Sequence, residues 1–292
     1  MMTAKTWRRL IIASVIGILT LTAYTTRQVG HAGESVTAVG STALQPLIEA
    51  ASEQYTSEHL GTFISVQGGG TGTGLSQIQE GAVEMGDSDL FAAEQKGIRA
   101  NTLVDHKIAV VGITPIVNAK VGIKNISQAD LIRVFTGKVS NWKQVGGRDV
   151  PVVILNRAQG SGTRATFEKW ALNGQQSVAS QEQDSSGMVR QIVASTPGAI
   201  SYVAFSYVNG GVQPLSIDHV QPTDRNVTTN RWPIWSYEHV YTQKHPKPLT
   251  RQFVKYLESH EVQSTLVKQL GYLSPNEMKV ERDAAGHVTE VK

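Results

Sequence analysis

The stretch LNRAQGSGTRAT, Leu155 to Thr166, joins an apolar, β-branched run to a helical pattern. The run from Val150 to Ile154 precedes it, and Phe167 and Trp170, which follow it, share one face of a helix. The stretch therefore predicts a strand, a glycine turn and the start of a helix. Similar units recur along the chain, and strands that alternate with helices are typical of an α/β fold with mainly parallel strands.

The glycine turn in this stretch carries groups that attract an anion. The first backbone N–H groups of a helix have no intrahelical partner and carry about half a positive charge. Gly160 and Gly162 let that backbone approach a ligand closely. Ser161 and Thr163 add hydroxyl donors, and Arg157 offers a planar guanidinium suited to an oxyanion. The residues indicate an anion site, although an ordinary capped helix after a turn has the same pattern.

Two further strands end in comparable turns. The strand SVTAVG (35–40) leads into Gly40-Ser41-Thr42-Ala43, where Ser41 or Thr42 is the expected N-cap of a helix. The strand FISVQ (63–67) leads into GGGTGTG (68–74), which lacks the context of a dinucleotide fingerprint and the lysine of a P-loop. Ligands of α/β folds bind at the carboxyl ends of strands, so the three turns are expected to share one cleft.

An acidic segment, MGDSDL (85–90), follows the second helix and is expected to be a turn. A carboxylate beside three anion-attracting turns would repel an anion that has no hydrogen to donate. The combination makes chemical sense if the ligand keeps a proton and donates it to the carboxylate.

Composition limits the function classes. The chain has 292 residues, enough for two lobes, and no cysteine, which excludes disulfides, thiolate metal sites and cysteine nucleophiles. Its formal net charge is +3, but residues 1–33 hold four basic and no acidic residues, which leaves −1 for the rest. That remainder has no basic stripe, which argues against nucleic acid as a partner.

The amino end predicts export. Lys5, Arg8 and Arg9 precede an apolar run, 10–24, in the pattern of a secretory signal, and the run is short for a membrane-spanning helix. A cleavage site is expected near Gly33. The segment LTAY (21–24) resembles a lipoprotein cleavage box, but Tyr24 stands where the lipidated cysteine would be. Lipidation through cysteine is therefore excluded, while free secretion and an uncleaved N-terminal anchor both stay open.

The remaining pattern predicts two lobes joined by two chain passages. The first passage is the apolar strand 107–117, and the return passage is the strand 235–243. We expect one lobe from residues 34–114 and 243–292, and the other from residues 115–242. A pair of helices, 249–257 and 262–270, is expected near the carboxyl end, and the polar tail from Glu277 is expected to be loose.

At this point the motifs resemble a known family, the phosphate-binding subunits of bacterial phosphate ABC importers. The resemblance covers nearly the whole chain after residue 33, and its segments occur in family order. It rests on GSTALQP (40–46), VQGGGTGTGLSQI (66–78), GDSD (86–89), LIRVFTGKVSNW (131–142), RAQGSGTR (157–164), GAISYV (198–203) and GYLSP (271–275).

The resemblance implies a type II periplasmic-binding-protein fold, with two α/β lobes that are joined by a two-strand hinge and close on an anion. It implies an extracytoplasmic, monomeric protein that captures inorganic phosphate, delivers it to a membrane permease, and has no catalytic residues, cofactor or metal. Whether Thr71 or Thr73 matches the hydroxyl of the second turn stays open. The residues that the resemblance places at the phosphate are Ser41, Thr42, Ala43, Thr71, Asp89, Arg157, Ser161, Gly162 and Thr163.

Three alternatives remain at the level of sequence. The ligand could be another tetrahedral oxyanion, sulfate or molybdate, which the carboxylate of Asp89 disfavours. Ser161 could be a nucleophile, but it lacks a Gly-x-Ser-x-Gly elbow because Gly160 adjoins it directly. A secreted phosphate sensor or adhesin would use the same cleft to signal rather than to feed a transporter.

Overall fold

A computed structural model describes residues 34–291. The predicted signal or anchor segment, 1–33, lies outside the described residues. Within 34–291 no helix combines the length and apolar character that crossing a bilayer requires. Mixed α/β architecture is present throughout this part of the chain, as the sequence predicts.

Nine of the strands in residues 34–291 form one sheet in the order β2-β1-β3-β11-β4-β8-β6-β7, with β9 also paired to β4. Two small ladders, β5 with β10 and β12 with β13, stand apart from it. The strands are β1 (Ser35–Gly40), β2 (Phe63–Gly68), β3 (Met85–Ser88), β4 (Leu103–Asn118), β5 (Asn125–Ile126), β6 (Val153–Arg157), β7 (Gln181–Gln183), β8 (Ala199–Ala204), β9 (Val212–Pro214), β10 (Ser216–Ile217), β11 (Trp235–Gln243), β12 (Val280–Arg282) and β13 (Val288–Glu290).

Helices connect these strands and cover the sheet. Within each lobe the connections follow the strand–helix–strand order that parallel pairing requires. The helices are α1 (Gln45–Glu58), α2 (Thr71–Glu80), α3 (Gln128–Phe135), α4 (Gly162–Trp170), α5 (Ser186–Ser195), α6 (Asp224–Thr228), α7 (Pro248–Leu257), α8 (His260–Ser264) and α9 (Leu266–Gln269).

Strand β4 is shared by two halves of the sheet. Its residues from Leu103 to Gly112 pair with β11, and its residues from Ile113 to Val117 pair with β8. We call β2, β1, β3, β11 and the first part of β4 the first lobe, and the rest of β4 with β8, β6, β7 and β9 the second lobe. The predicted passages 107–117 and 235–243 are both strands. Their crossing points lie side by side, since Ile113 N–H donates to Ile234 O at 2.8 Å.

Each lobe has a parallel set of strands whose carboxyl ends face the other lobe. β1 runs parallel to β2 and β3, and β6 runs parallel to β8 and β7. Helix α1 buries Leu47, Ile48 and Ala51 against the first set. In the second lobe the rings of Phe167 and Tyr202 stack with centroids 4.1 Å apart. The register places the ends of β1, β2 and β3 side by side, since Gly40 lies opposite Gly68 and Asp87.

The segment 85–90 is not the turn that its composition predicts. Met85–Ser88 is strand β3, buried at every position between β1 and β11. Glycine, aspartate and serine have low strand propensity, but pairing on both sides overrides propensity in a central strand. Asp89 therefore follows directly after a buried strand rather than a flexible loop, and this fixes its position in the site.

Three smaller expectations are also wrong. The tail from Glu277 contains the hairpin of β12 and β13, because the buried guanidinium of Arg282 anchors it. The second terminal helix is divided into α8 and α9 at Thr265, whose backbone is not helical. Neither Ser41 nor Thr42 is a helix N-cap, since α1 begins at Gln45 after an extra turn.

Candidate anion-binding site

The three turns predicted to share a cleft lie together between the lobes. Gly70 N–H donates to Gly40 O at 2.8 Å, which joins the first and second turns. Gly72 N–H donates to Gly160 O at 3.0 Å, which joins the second turn to the third across the cleft. A Cβ on Gly162 would lie 2.5 Å from Thr71 Oγ1, so only a glycine allows this approach.

Arg157 ends β6 and directs its guanidinium into the cleft. The side chain is 1% exposed, and its Nη2 donates to Thr42 Oγ1, in the other lobe, at 2.9 Å. The same guanidinium contacts Ser186 Oγ at 2.9 Å and the carbonyl oxygen of Asp184 at 2.7 Å. Burial lowers the pKa of Arg157 and the charge of Asp89 opposes that shift, yet a guanidinium keeps its proton in proteins. The site therefore holds a fixed cation.

Asp89 lies at the centre of the cleft and is 2% exposed. Its Oδ1 accepts from Ser41 Oγ in the first lobe, and its Oδ2 accepts from Thr163 Oγ1 in the second lobe at 2.6 Å. The backbone N–H of Asp89 donates to Thr71 Oγ1 at 2.9 Å. Each carboxylate oxygen of Asp89 thus accepts a hydrogen bond from one hydroxyl, and the two hydroxyls belong to opposite lobes.

The turn after β1 is held from both sides. Ser41 Oγ accepts the backbone N–H groups of Ala43, at 3.0 Å, and Leu44, at 3.2 Å. The hydroxyl of Tyr207 donates to Thr42 O at 2.8 Å, and the hydroxyl of Tyr272 donates to Ala43 O. These contacts keep Ser41, Thr42 and Ala43 buried and close to Asp89.

The geometry separates two threonines that the sequence leaves open. Thr71 is fully buried beside Asp89, whereas Thr73 is exposed and donates its hydroxyl to Gly69 O at 2.8 Å. Ser161 is the N-cap of α4, where its Oγ accepts Arg164 N–H at 3.2 Å. In this position the Ser161 hydroxyl orders the start of α4.

Sequence reasoning missed Ser186, the first residue of α5. It is fully buried, its Oγ lies 3.1 Å from Thr42 Oγ1, and Arg157 donates to it. A fourth helix start therefore meets the cleft beside the three that the sequence predicts. The segment Asp184-Ser185-Ser186-Gly187 has the polar, small-residue composition of a helix start and could have signalled it.

Two more carboxyl groups lie behind Asp89 and were not predicted as part of the site. Asp87 on β3 and Glu238 on β11 are 1% and 0% exposed. Burial, with the charge of Asp89, raises the pKa of Asp87 to about 8. Burial and the neighbouring carboxylates of Asp89 and Asp87 raise the pKa of Glu238 well above its ordinary value. Both shifts favour the neutral, protonated form of these two carboxyl groups.

These groups can bind a small oxyanion through hydroxyls, helix starts and a guanidinium, with a carboxylate to accept a hydrogen. A metal site is not indicated in the part of the chain that the structure describes, where no group of three or more potential ligands has suitable positions.

The chain is similar to a known domain family and to a known phosphate-binding protein. The model of the PBP superfamily domain matches residues 25–261. Phosphate-binding protein PstS of Bacillus subtilis (strain 168) is 48% identical over 256 residues, which cover 87% of this chain and 85% of that protein.

Solved structures share the fold. A Clostridium perfringens protein assigned as a phosphate ABC transporter substrate-binding protein, crystallised with bound phosphate, has a TM-score of 0.77 and 27% identity over 82% of this chain and 99% of that one. An ABC-type phosphate transport receptor from Vibrio cholerae has a TM-score of 0.66 and 23% identity, covering 82% of this chain and 100% of that one. At 23% identity, the Vibrio cholerae structure supports only the two-lobed fold.

Proposed function

Because this chain belongs to the PBP superfamily and, within it, to the family of phosphate-binding protein PstS, we propose that it captures inorganic phosphate between its lobes and delivers it to a membrane permease of an ABC transporter. The proposed ligands are Ser41, Thr42, Ala43, Thr71, Asp89, Arg157, Ser161, Gly162 and Thr163, with Ser186 added by the geometry.

One observation carries the proposal: a buried guanidinium and a buried carboxylate face the same interlobe cleft among hydroxyls from both lobes. Arg157 supplies the charge that an oxyanion needs. Asp89 supplies an acceptor that would be an electrostatic error for a fully ionised ligand, and phosphate at neutral pH retains a hydrogen for it. A site built around such a hydrogen bond can reject an analogue that lacks it by roughly 10⁴–10⁵.

Binding is coupled to the approach of the lobes. The contacts of Asp89 with Ser41 and Thr163, and of Arg157 with Thr42, each cross the cleft. An anion that engages both lobes stabilises the closed form by its differential affinity for that form. The chain would bend where β4 changes partner, next to Ile113 and Ile234. The closed, loaded form is then the shape that a permease recognises.

We also propose the finer features that the sequence predicts. The protein acts outside the cytoplasm as a monomer, with residues 1–33 as its signal or anchor and without lipidation through cysteine. Its lobes comprise residues 34–114 with 243–292, and residues 115–242, except that the return strand β11 (Trp235–Gln243), which pairs with β3 and β4, is assigned to the first lobe. Mass spectrometry of natively purified protein, without dialysis, tests both the mature terminus and any retained anion.

Calorimetric titration of the mature chain with phosphate and with sulfate tests the function. We expect tight phosphate binding and at least a thousandfold weaker sulfate binding. Equal binding of the two anions would contradict phosphate specificity and favour a general oxyanion carrier. A parallel assay with phosphate monoesters separates carrier from catalyst, since turnover would identify a hydrolase.

A further inference from the structure

Glu238 is a buried acid whose role is not explained by the contacts of the anion site. It lies on β11 at the position where the ladder with β4 shifts register between Glu238 and His239. The residue is fully buried, and neither of its carboxyl oxygens accepts a hydrogen bond from an N–H or hydroxyl group within residues 34–291. An isolated buried carboxylate is very costly, so a carboxyl group in this position keeps its proton.

The groups facing Glu238 leave two candidate acceptors for that proton. Asp87 lies on β3, next to β11, and Asp89 follows directly after that strand; the carboxyl groups of both raise the pKa of Glu238. The hydroxyls of Tyr207 and Tyr272 also lie nearby, but they donate to the carbonyl oxygens of Thr42 and Ala43.

Two other neighbours bond to different groups. The ring of His239 bonds Asp105 through Nδ1 at 2.7 Å, while its Nε2 has no partner within residues 34–291. The guanidinium of Arg157 contacts Thr42, Ser186 and Asp184. Burial raises the pKa of Asp87 to about 8, which favours its protonated form. The antiparallel register that pairs His239 with Ser88 sets Glu238 opposite Asp89, so Asp89 is the acceptor next to the proton of Glu238.

We propose that Glu238 is a positioning residue of the anion site: as a neutral carboxylic acid it donates its hydrogen to the Asp89 carboxylate and so keeps Asp89 a hydrogen-bond acceptor. Asp89 then accepts from Ser41, Thr163 and Glu238, and an acceptor position remains for the hydrogen of the ligand. The inference rests on the proposed function, because it gives Asp89 a protonated oxyanion to recognise.

The proposed hydrogen bond from Glu238 to Asp89 affects the discrimination between phosphate and sulfate. A carboxylate that loses a donor becomes more basic, and a protonated Asp89 could donate to sulfate. Glu238 thus excludes fully ionised anions indirectly, by keeping Asp89 an acceptor. Its neutrality also prevents another negative charge from lying behind the bound anion.

The test compares two variants of the mature chain. Glu238→Leu removes the donor at similar volume, and Glu238→Gln keeps an N–H donor that cannot ionise. Titration of each with phosphate and with sulfate at neutral pH gives the ratio of the two dissociation constants. We expect Glu238→Leu to narrow that ratio by about tenfold or more, the value of one charge-assisted hydrogen bond, and Glu238→Gln to restore most of it.

Thr250→Val is the matched control, because Thr250 is a buried residue on α7 whose hydroxyl has no hydrogen-bond partner in the described chain. It should leave the ratio unaltered. If Glu238→Leu weakens phosphate and sulfate by the same factor, or if Glu238→Gln behaves like Glu238→Leu, the positioning role is refuted and Glu238 only packs the interior.

A ligand-free measurement separates this inference from the proposed function. The infrared difference spectrum of wild type minus Glu238→Gln should contain the C=O band of a neutral carboxylic acid, shifted in D₂O. A carboxylate band instead would overturn the proposal even if phosphate binds tightly. Conversely, a neutral-acid band in a chain that does not bind phosphate would refute the proposed function while leaving the protonation of Glu238 established.

Discussion

At the scale of single residues, the cleft depends on one cation and one anion that are both buried. Arg157 and Asp89 are 1% and 2% exposed, and each contacts hydroxyls on the opposite lobe. The sequence predicts Arg157 as a ligand from the glycine turn beside it, and Asp89 from the resemblance carried by GDSD (86–89). Their hydroxyl partners could be predicted only as residue types near turns.

Asp89→Asn should preserve the fold and weaken discrimination against sulfate. The amide retains the shape of the carboxylate but offers N–H donors, so a fully ionised anion no longer faces an unpaired charge. Calorimetric titration with both anions measures the ratio. Asp149→Asn is a control on an exposed carboxylate that pairs with Lys143. An unaltered ratio in Asp89→Asn would remove Asp89 from the discriminating role.

Arg157→Ala should weaken phosphate binding by about 100-fold or more, since it deletes charge-assisted hydrogen bonds in a buried site. Arg157→Lys should lose less, because it keeps the charge but not the planar fork. Titration measures affinity, and circular dichroism checks that the fold persists. If a folded Arg157→Ala variant binds phosphate with near wild-type affinity, the turn at 157–163 only precedes a capped helix and is not an anion site.

Asp87 predicts a pH dependence of stability. Its pKa is about 8 in the folded chain and in the ordinary carboxyl range when unfolded. Between those values the folded state keeps a proton that the unfolded state releases, so this contribution is present at low pH and is lost as pH rises through about 8.

Asp87→Asn should therefore flatten the fall in unfolding free energy between about pH 5 and pH 8. Urea denaturation at several pH values measures that slope. The slope should not vanish, because the pKa of Glu238 is also raised. Asp149→Asn should leave this slope unaltered, because the pKa of Asp149 is lowered and the group therefore titrates below this pH range. An unaltered slope in Asp87→Asn would show that Asp87 is ionised in the folded chain.

At the scale of elements, periodicity and turn chemistry identify most helices and strands. β1, β2, β4, β11 and α7 occur close to their predicted positions because their apolar spacing matches their period. β3 does not, because its residues favour turns and only the pairing with β1 and β11 makes them a strand. The place of Ser186 in the cleft was missed because nothing local shows that the start of α5 lies across the cleft from Thr42.

Gly162→Ala tests the approach of α4 to the first lobe. Its Cβ would lie 2.5 Å from Thr71 Oγ1 and 2.8 Å from Asp89 Cβ, so the lobes cannot close fully. We expect at least tenfold weaker phosphate binding, with stability nearly unaltered because a helical alanine is favourable. Gly187→Ala in α5 is the control, since the nearest atom to its Cβ would be 3.7 Å away. If Gly162→Ala binds phosphate with wild-type affinity, the two lobes do not need this close contact between α4 and Thr71 in order to bind the anion.

At the scale of the whole molecule, the carboxyl-terminal hairpin connects the lobes. The guanidinium carbon of Arg282 lies 4.0 Å from the ring centroid of Trp170 in the second lobe and 3.9 Å from that of Trp235 in the first. Its Nη atoms also donate to the carbonyl oxygens of Trp235 and Pro233. Composition predicted a loose tail because polar residues dominate it, and only the folded chain places one arginine between two tryptophans.

Arg282→Leu should lower the free energy of unfolding by about 2–4 kcal/mol, because it removes two stacked cation contacts and the hydrogen bonds from Arg282 to the carbonyl oxygens of Trp235 and Pro233. Urea denaturation followed by tryptophan fluorescence measures the loss. Arg251→Leu, at an exposed arginine on α7, should change stability by less than about 0.5 kcal/mol. Equal, small effects of both substitutions would show that the hairpin does not stabilise the lobes.

The amino-acid sequence by itself determined the α/β class, the glycine turns at strand ends, and the residue types that suit a protonated oxyanion. These follow from local rules, since period, capping and turn chemistry act over a few residues. Tertiary structure alone decided that β3 is a strand, that Ser186 joins the cleft, and that Glu238 lies behind Asp89. Such features arise from contacts between residues far apart in the chain, where burial and pairing outweigh local preference.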